Sequence, residues 1–140
     1  ATELEILREA EEIQRLVDNV TPVVSREDVL EAREDAKSVH LADSFLEAIV
    51  DIVQATRSNA LLQFGASTRA AIMLERALRA WALVEGRDYA TEDDLRFLTP
   101  FVLQHRLRFH PGAGDPQDAF AELLRPHMER FIAKSFRAAV

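Results

Sequence analysis

Apolar side chains recur at helical spacing in nearly every segment of this 140-residue chain, and at strand-like alternation in none. Ile6, Ala10, Ile13, Val17 and Val20 follow a 4-3-4-3 rhythm that predicts an amphipathic helix over residues 3–20, at the edge of the domain. Pro22 ends it, because proline lacks a backbone donor and biases Thr21 toward extended geometry. Ser25-Arg26-Glu27-Asp28 has the pattern of a capping box and opens a second helix running to about Lys37. After the short, apolar, extended-looking stretch Ser38–Ala42, Asp43 suits the cap of a third helix. Its Phe45, Leu46, Ile49, Val50, Ile52 and Val53 cover more than one face and mark it as the most buried.

Ser58–Gln63 lacks periodicity and reads as a loop running into Gly65. From Thr68 to Glu85, Ala70, Leu74, Ala77, Leu78, Trp81 and Val84 keep one helical face in a segment rich in alanine and leucine. Gly86 ends that helix as a left-handed cap, and Thr91-Glu92-Asp93-Asp94 starts another with Leu95, Leu98, Val102 and Leu103 on its buried side and a kink at Pro100. Pro111–Pro116 holds two prolines and two glycines in six positions, the clearest breaker in the chain. A last helical segment, residues 117–140, carries Phe120, Leu123, Leu124, Met128, Phe131, Ile132 and Phe136 as its stripe, with Pro126 expected to kink or divide it. The predicted fold class is all-α, a helical bundle with an additional C-terminal helical segment.

Composition narrows the function. The net charge of −7 is uneven, with 14 acids against six bases in residues 1–64 and 10 against 11 in residues 65–140. General nucleic-acid affinity is therefore not expected. The only lysines are Lys37 and Lys134, and neither follows a glycine, which rules out a phosphate-cradling Gly-Lys-Ser/Thr loop within these residues. Cysteine is absent, no apolar run approaches the roughly 20 residues of a membrane span, and the amino terminus is acidic, so a soluble, cytoplasmic protein is expected. The four histidines, at 40, 105, 110 and 127, never stand three or four apart, so no helix face offers a pair of metal ligands and no metal site is expected. Acidic pairs such as Glu11-Glu12 and Asp93-Asp94 sit where solvated helix surfaces and first turns want them. No Gly-x-Ser-x-Gly elbow supports a serine nucleophile.

Phe64-Gly65-Ala66-Ser67-Thr68-Arg69-Ala70 is electrostatically odd. Arg69 falls in the first turn of the strongest predicted helix, where the helix dipole disfavours a cation by about 0.3–1 kcal/mol. Gly65 lets the chain bend, Ser67 is the natural N-cap and free N–H groups follow, which are the parts of a phosphate or carboxylate site. Charge and spacing alone favour the blander reading, a surface arginine that points into water.

Five motifs in order decide what this stretch is similar to: Ser25–Leu30, Val39–Asp43, Gly65–Ala70, Gly86–Leu95 and His105-Arg106-Leu107. Residues 23–108 resemble the C-terminal helical lid of the MoxR-type AAA+ ATPases. In that family the Gly-Ala-Ser-x-Arg-Ala stretch is the sensor 2 motif, whose arginine reaches nucleotide phosphates held by the neighbouring large domain. The resemblance therefore makes Arg69 the candidate catalytic residue, with Gly65, Ser67 and Thr68 beside it as nucleotide-binding candidates. Thr68 stands where the family usually has proline.

The resemblance implies that residues 1–20 join a preceding ATPase core, that residues 21–108 are the lid, and that residues 109–140 are a loop and helical extension. The Walker motifs, sensor 1 and arginine finger belong to that core, expected before Ala1. It would bind ATP with magnesium, and this chain alone would be inactive. A homo-oligomeric ring acting as a chaperone-like machine is implied, with no nucleic-acid or membrane partner. The alternative is a free-standing helical adaptor with no nucleotide role. A helix-turn-helix reading of residues 68–104 is opposed by Asp93 and Asp94, which would face phosphate.

Overall fold

The structure, a computed structural model, describes residues 2–138, with side chains through Ser135. Two compact units are present, Ala1–Ala32 and Arg33–Val140. In the first, α1 (Glu3–Arg8) and α2 (Ala10–Asp18) replace the single helix expected over residues 3–20. They part at Glu9, whose ψ of 6° leaves the helical region. Neither helix buries a residue. Without a packed face, nothing selects one straight axis, because short helices depend on tertiary support. The third helix, α3 (Arg26–Ser38), starts at the expected box: Ser25 Oγ accepts from Asp28 N at 3.0 Å, and Asp28 Oδ2 accepts from Ser25 N at 2.8 Å.

In the second unit the core forms around α4 (Asp43–Ser58), α5 (Thr68–Val84), α6 (Glu92–Leu103) and α7 (Pro116–Ala138). Ala42, not Asp43, is the N-cap of α4; Asp43 is its first helical residue, where its charge still suits the dipole. The buried side of α4 is Phe45, Ala48, Ile49, Ile52, Val53 and Thr56, while Leu46 and Val50 stay exposed. A single broad stripe, rather than all-round burial, therefore faces the core. From α5 come Ala70, Leu74, Leu78 and Ala82; Val84, expected inside, is exposed.

Gly86, at φ 71°, ends α5 in the left-handed conformation, and Arg87 N and Gly86 N return to Ala82 O and Leu83 O at 2.8 and 2.9 Å. Arg87 then grips the next helix through two hydrogen bonds to the buried Asp94 carboxylate, at 2.7 and 2.8 Å. Asp94 also completes a capping box with Thr91. The α3–α4 connection pairs with this turn, His40 N donating to Asp88 O at 2.7 Å. Arg79 of α5 donates to the Val39 carbonyl.

Two short strands were not foreseen. β1 (Leu62–Phe64) and β2 (Arg108–Phe109) pair antiparallel with Leu62 opposite Phe109 and Phe64 opposite Arg108. Segments of three and two residues are too short to show alternation, and the fold remains all-α. The last helix, α7, starts on Asp115, which accepts from Gln117 N at 2.7 Å, with Pro116 at the first helical position. It runs unbroken past Pro126, which was expected to kink or divide it. The carbonyl that this proline leaves without a donor belongs to Glu122, which is exposed and can be hydrated. Phe120, Leu123, Leu124, Met128 and Phe131 are buried, and Phe131 meets Phe45 of α4 edge-on with centroids 4.7 Å apart. Phe136 of the expected stripe lies outside the described side chains. No helix among the described residues is long and apolar enough to cross a membrane.

Candidate functional site

The turn Gly65–Ser67 carries the chain from β1 into α5 and is held against the last turn of α4. Thr56 is fully buried; its hydroxyl donates to Val53 O at 2.7 Å and accepts from Ala66 N at 2.9 Å. Arg57 reaches the same turn from the next position, its Nε donating to Ala66 O at 2.7 Å and its Nη2 to Thr68 Oγ1 at 3.3 Å. Gly65 was expected to let the chain bend. Its φ is not positive, unlike those of Gly86, Gly112 and Gly114. What requires glycine is close approach: a Cβ there would stand 2.6 Å from Thr56 O and 2.7 Å from Arg57 N, both backbone atoms.

Ser67 caps α5 as expected, with extended φ and ψ of −84° and 166° and its hydroxyl accepting from Ala70 N. Arg69 follows in the first turn. It is exposed and, among the described residues, makes neither an ion pair nor a side-chain hydrogen bond. No acid stands in that first turn to offset it. The structure therefore brings Gly65, Ser67, Thr68 and Arg69 together on one turn, with a cation at its head and, among the described residues, no acid paired with it.

Thr56 and Arg57 were missed by sequence reasoning. A threonine inside a helix and an arginine in its last turn both look ordinary there, the arginine because it suits the helix C-terminus. Their partners are a backbone amide that donates and a carbonyl and a hydroxyl that accept, 9 to 11 residues on, and such partners leave no sequence pattern.

A sizeable concavity lies elsewhere. A groove of about 640 Å³ runs between α6 and α7, with Phe101, Phe120, Leu124, Met128 and Ile132 along it and Arg96 and Arg125 among its polar lining. Nearby, Trp81, Phe97 and Phe101 form a row with 5.1 Å between successive ring centroids. None of residues 65–69 lines the groove. Volume favours the groove as a site and chemistry favours the turn, since only the turn holds an uncompensated charge in an unfavourable place.

The model of the AAA lid domain family matches residues 54–125, from the last turns of α4 into the first half of α7 and more than half of the chain. The chain belongs to the AAA lid domain family. The lid is 39% identical over 111 residues to the uncharacterized protein YeaC of Bacillus subtilis, covering 79% of this chain and 34% of that protein. It is 34% identical over 94 residues to the chaperone MoxR1 of Mycobacterium tuberculosis, covering 61% and 25% respectively. A magnesium-chelatase subunit ChlI homolog of Methanocaldococcus jannaschii is 34% identical over 87 residues, 61% of this chain and 22% of the relative. A crystal structure from Cytophaga hutchinsonii, provisionally named an ATPase, superposes with a TM-score of 0.69 at 31% identity over 84% of this chain and 42% of that one. The lid thus spans about a third or less of the curated relatives' length, and it is of the MoxR type.

Proposed function

We propose that this lid closes over ATP in a MoxR-like AAA+ ATPase and that Arg69 is its sensor 2 arginine. The observation that carries the reading is the exposed guanidinium in the first turn of α5, unpaired among the described residues, on a turn anchored to α4. A cation tolerated at a helix N-terminus makes physical sense when a stronger anion is to share the site. A core domain on the same polypeptide holds the nucleotide with magnesium, and Arg69 supplies positive charge to the phosphates as negative charge shifts during transfer to water. Gly65, Ser67 and Thr68 shape the turn and present the start of α5. The whole protein assembles into a ring and acts as a chaperone-like machine, the role named in its MoxR1 relative.

The test is steady-state ATP hydrolysis by the complete ATPase with Arg69→Ala. Turnover falls roughly ten- to a thousandfold, the scale of one lost transition-state charge contact. In the 140-residue chain the same change leaves stability unchanged or raises it by about 0.3 kcal/mol, because an unfavourable dipole contact is removed. Unchanged turnover refutes the sensor 2 role.

One observation favours a second reading, that of a helical adaptor with no nucleotide role: the apolar groove between α6 and α7. An open reading frame that continues upstream of Ala1 into a Gly-Lys-Ser/Thr loop decides for the ATPase.

A further inference from the structure

We infer that Arg57 is a positioning residue for Arg69: the last turn of α4 holds the Gly65–Thr68 turn, and Arg57 sets the course on which α5 leaves it. The inference rests on the reading of Arg69 as the residue that meets nucleotide. Both polar groups of Ala66 are taken by adjacent residues of α4, its N–H by Thr56 and its carbonyl by Arg57. The Thr56 hydroxyl has no freedom to turn away, since its own proton is committed to Val53 O in a fully buried position. Below these bonds Gly65 rests on the backbone of Thr56 and Arg57.

Thr56 and Gly65 are explained by packing alone. Arg57 is not. It is exposed, and among the described residues it pairs with no carboxylate. Its two donors go instead to the carbonyl of the buried Ala66 and to the hydroxyl of the exposed Thr68, at the two ends of the turn. The second of these acceptors belongs to Thr68, the residue immediately before Arg69. Placing one cation beside the approach to another is unfavourable unless the geometry it secures is useful. Arginine suits that task because its planar fork fixes two acceptors at a set spacing, which a lysine ammonium cannot do. The effect is to tie the direction of the α5 N-terminus to α4, the helix whose position the core determines.

A double-mutant cycle in the complete ATPase tests this. Arg57→Gln lowers kcat roughly tenfold through misplacement of Arg69. Combined with Arg69→Ala it is no slower than Arg69→Ala alone, since a residue acting through another loses its effect when the other is gone. Arg57→Lys remains as slow as Arg57→Gln. A double variant that is slower than Arg69→Ala by the full single-variant factor overturns the proposal, because Arg57 then acts on its own. Recovery with Arg57→Lys overturns it too, because charge alone then suffices.

A separate measurement distinguishes this proposal from the nucleotide reading. In the 140-residue chain, Arg57→Gln speeds amide exchange at Ala66 and Ala70 by about tenfold, the worth of one charge-assisted hydrogen bond, and leaves Ile52 and Leu78 protected. If Arg69→Ala does not change turnover while this exchange result holds, the sensor reading fails and the hold on the turn stands. If exchange at Ala66 and Ala70 is unaffected, Arg57 does not hold the turn and the proposal fails.

Discussion

Gly65 is the position where a single methyl group decides the local structure. An alanine there would push its Cβ into the carbonyl of Thr56 and the amide of Arg57, and backbone atoms of a buried helix cannot swing aside as a side-chain tip can. Gly65→Ala should therefore cost roughly 2–3 kcal/mol, seen as a lower denaturation midpoint, at the upper end of the usual range for overpacking. A neutral outcome would mean that the turn stands further from α4. Asp94 tests another kind of contact. Burial acts to raise the pKa of its carboxyl, but hydrogen bonds from Arg87 and from Thr91 outweigh burial and hold it below the ordinary carboxylate value. Asp28 is lowered as well, by its hydrogen bonds with Ser25. A depressed folded pKa contributes stability that is complete above the unfolded value, about 3.9, and is lost as pH falls through the folded one. Melting temperatures should accordingly drop below about pH 4, and in Arg87→Ala the decline from its own neutral-pH value should be shallower, because part of the linkage is gone. The sequence announced Ser67 and Arg69 through cap preference and misplaced charge. It could not announce Thr56 and Arg57, whose partners on the turn, the backbone of Ala66 and the hydroxyl of Thr68, are brought near only by the fold.

Among the elements, periodicity located α4 to α7 because each carries a stripe long enough to repeat, the capping box at Ser25 located α3, which buries no residue, and Gly86 and Thr91 marked ends through residue types with strong local preferences. What escaped notice had no repeat to detect. The β1–β2 ladder is two and three residues long, and the interruption at Glu9 follows from the lack of burial rather than from a breaker residue. The last helix supplies the strongest element-scale test. Phe120, Leu123, Leu124, Met128 and Phe131 are core residues, so α7 completes the bundle instead of trailing from it. Phe131→Ala removes one half of the edge-on pair with Phe45 and should cost about 3–4 kcal/mol. Ending the chain after Arg108 should lower the melting temperature sharply or drive association. An equally stable, monomeric truncation would show that α7 contributes nothing to the core.

At the scale of the whole molecule, the reading of Arg69 as a sensor 2 residue gives these residues, which include no Gly-Lys-Ser/Thr sequence, one arginine and one helix terminus to offer a nucleotide. A clean preparation of the 140-residue chain should show no ATP turnover and only very weak ATP affinity by calorimetry; measurable turnover would overturn the division of labour between core and lid. The aromatic row on α5 and α6 bears on how all these experiments can be read. Trp81 is the sole tryptophan of the chain, and its indole leans on Phe97 at a 40° tilt across the α5–α6 contact. Its fluorescence is consequently a one-site optical gauge of α5–α6 packing, blue-shifted while Phe97 covers it and red-shifted when the two helices part. Arg69 heads the same helix three turns away, so on the proposed sensor 2 reading a nucleotide analogue that reorients α5 registers in that emission without an attached dye, given a core with no tryptophan of its own.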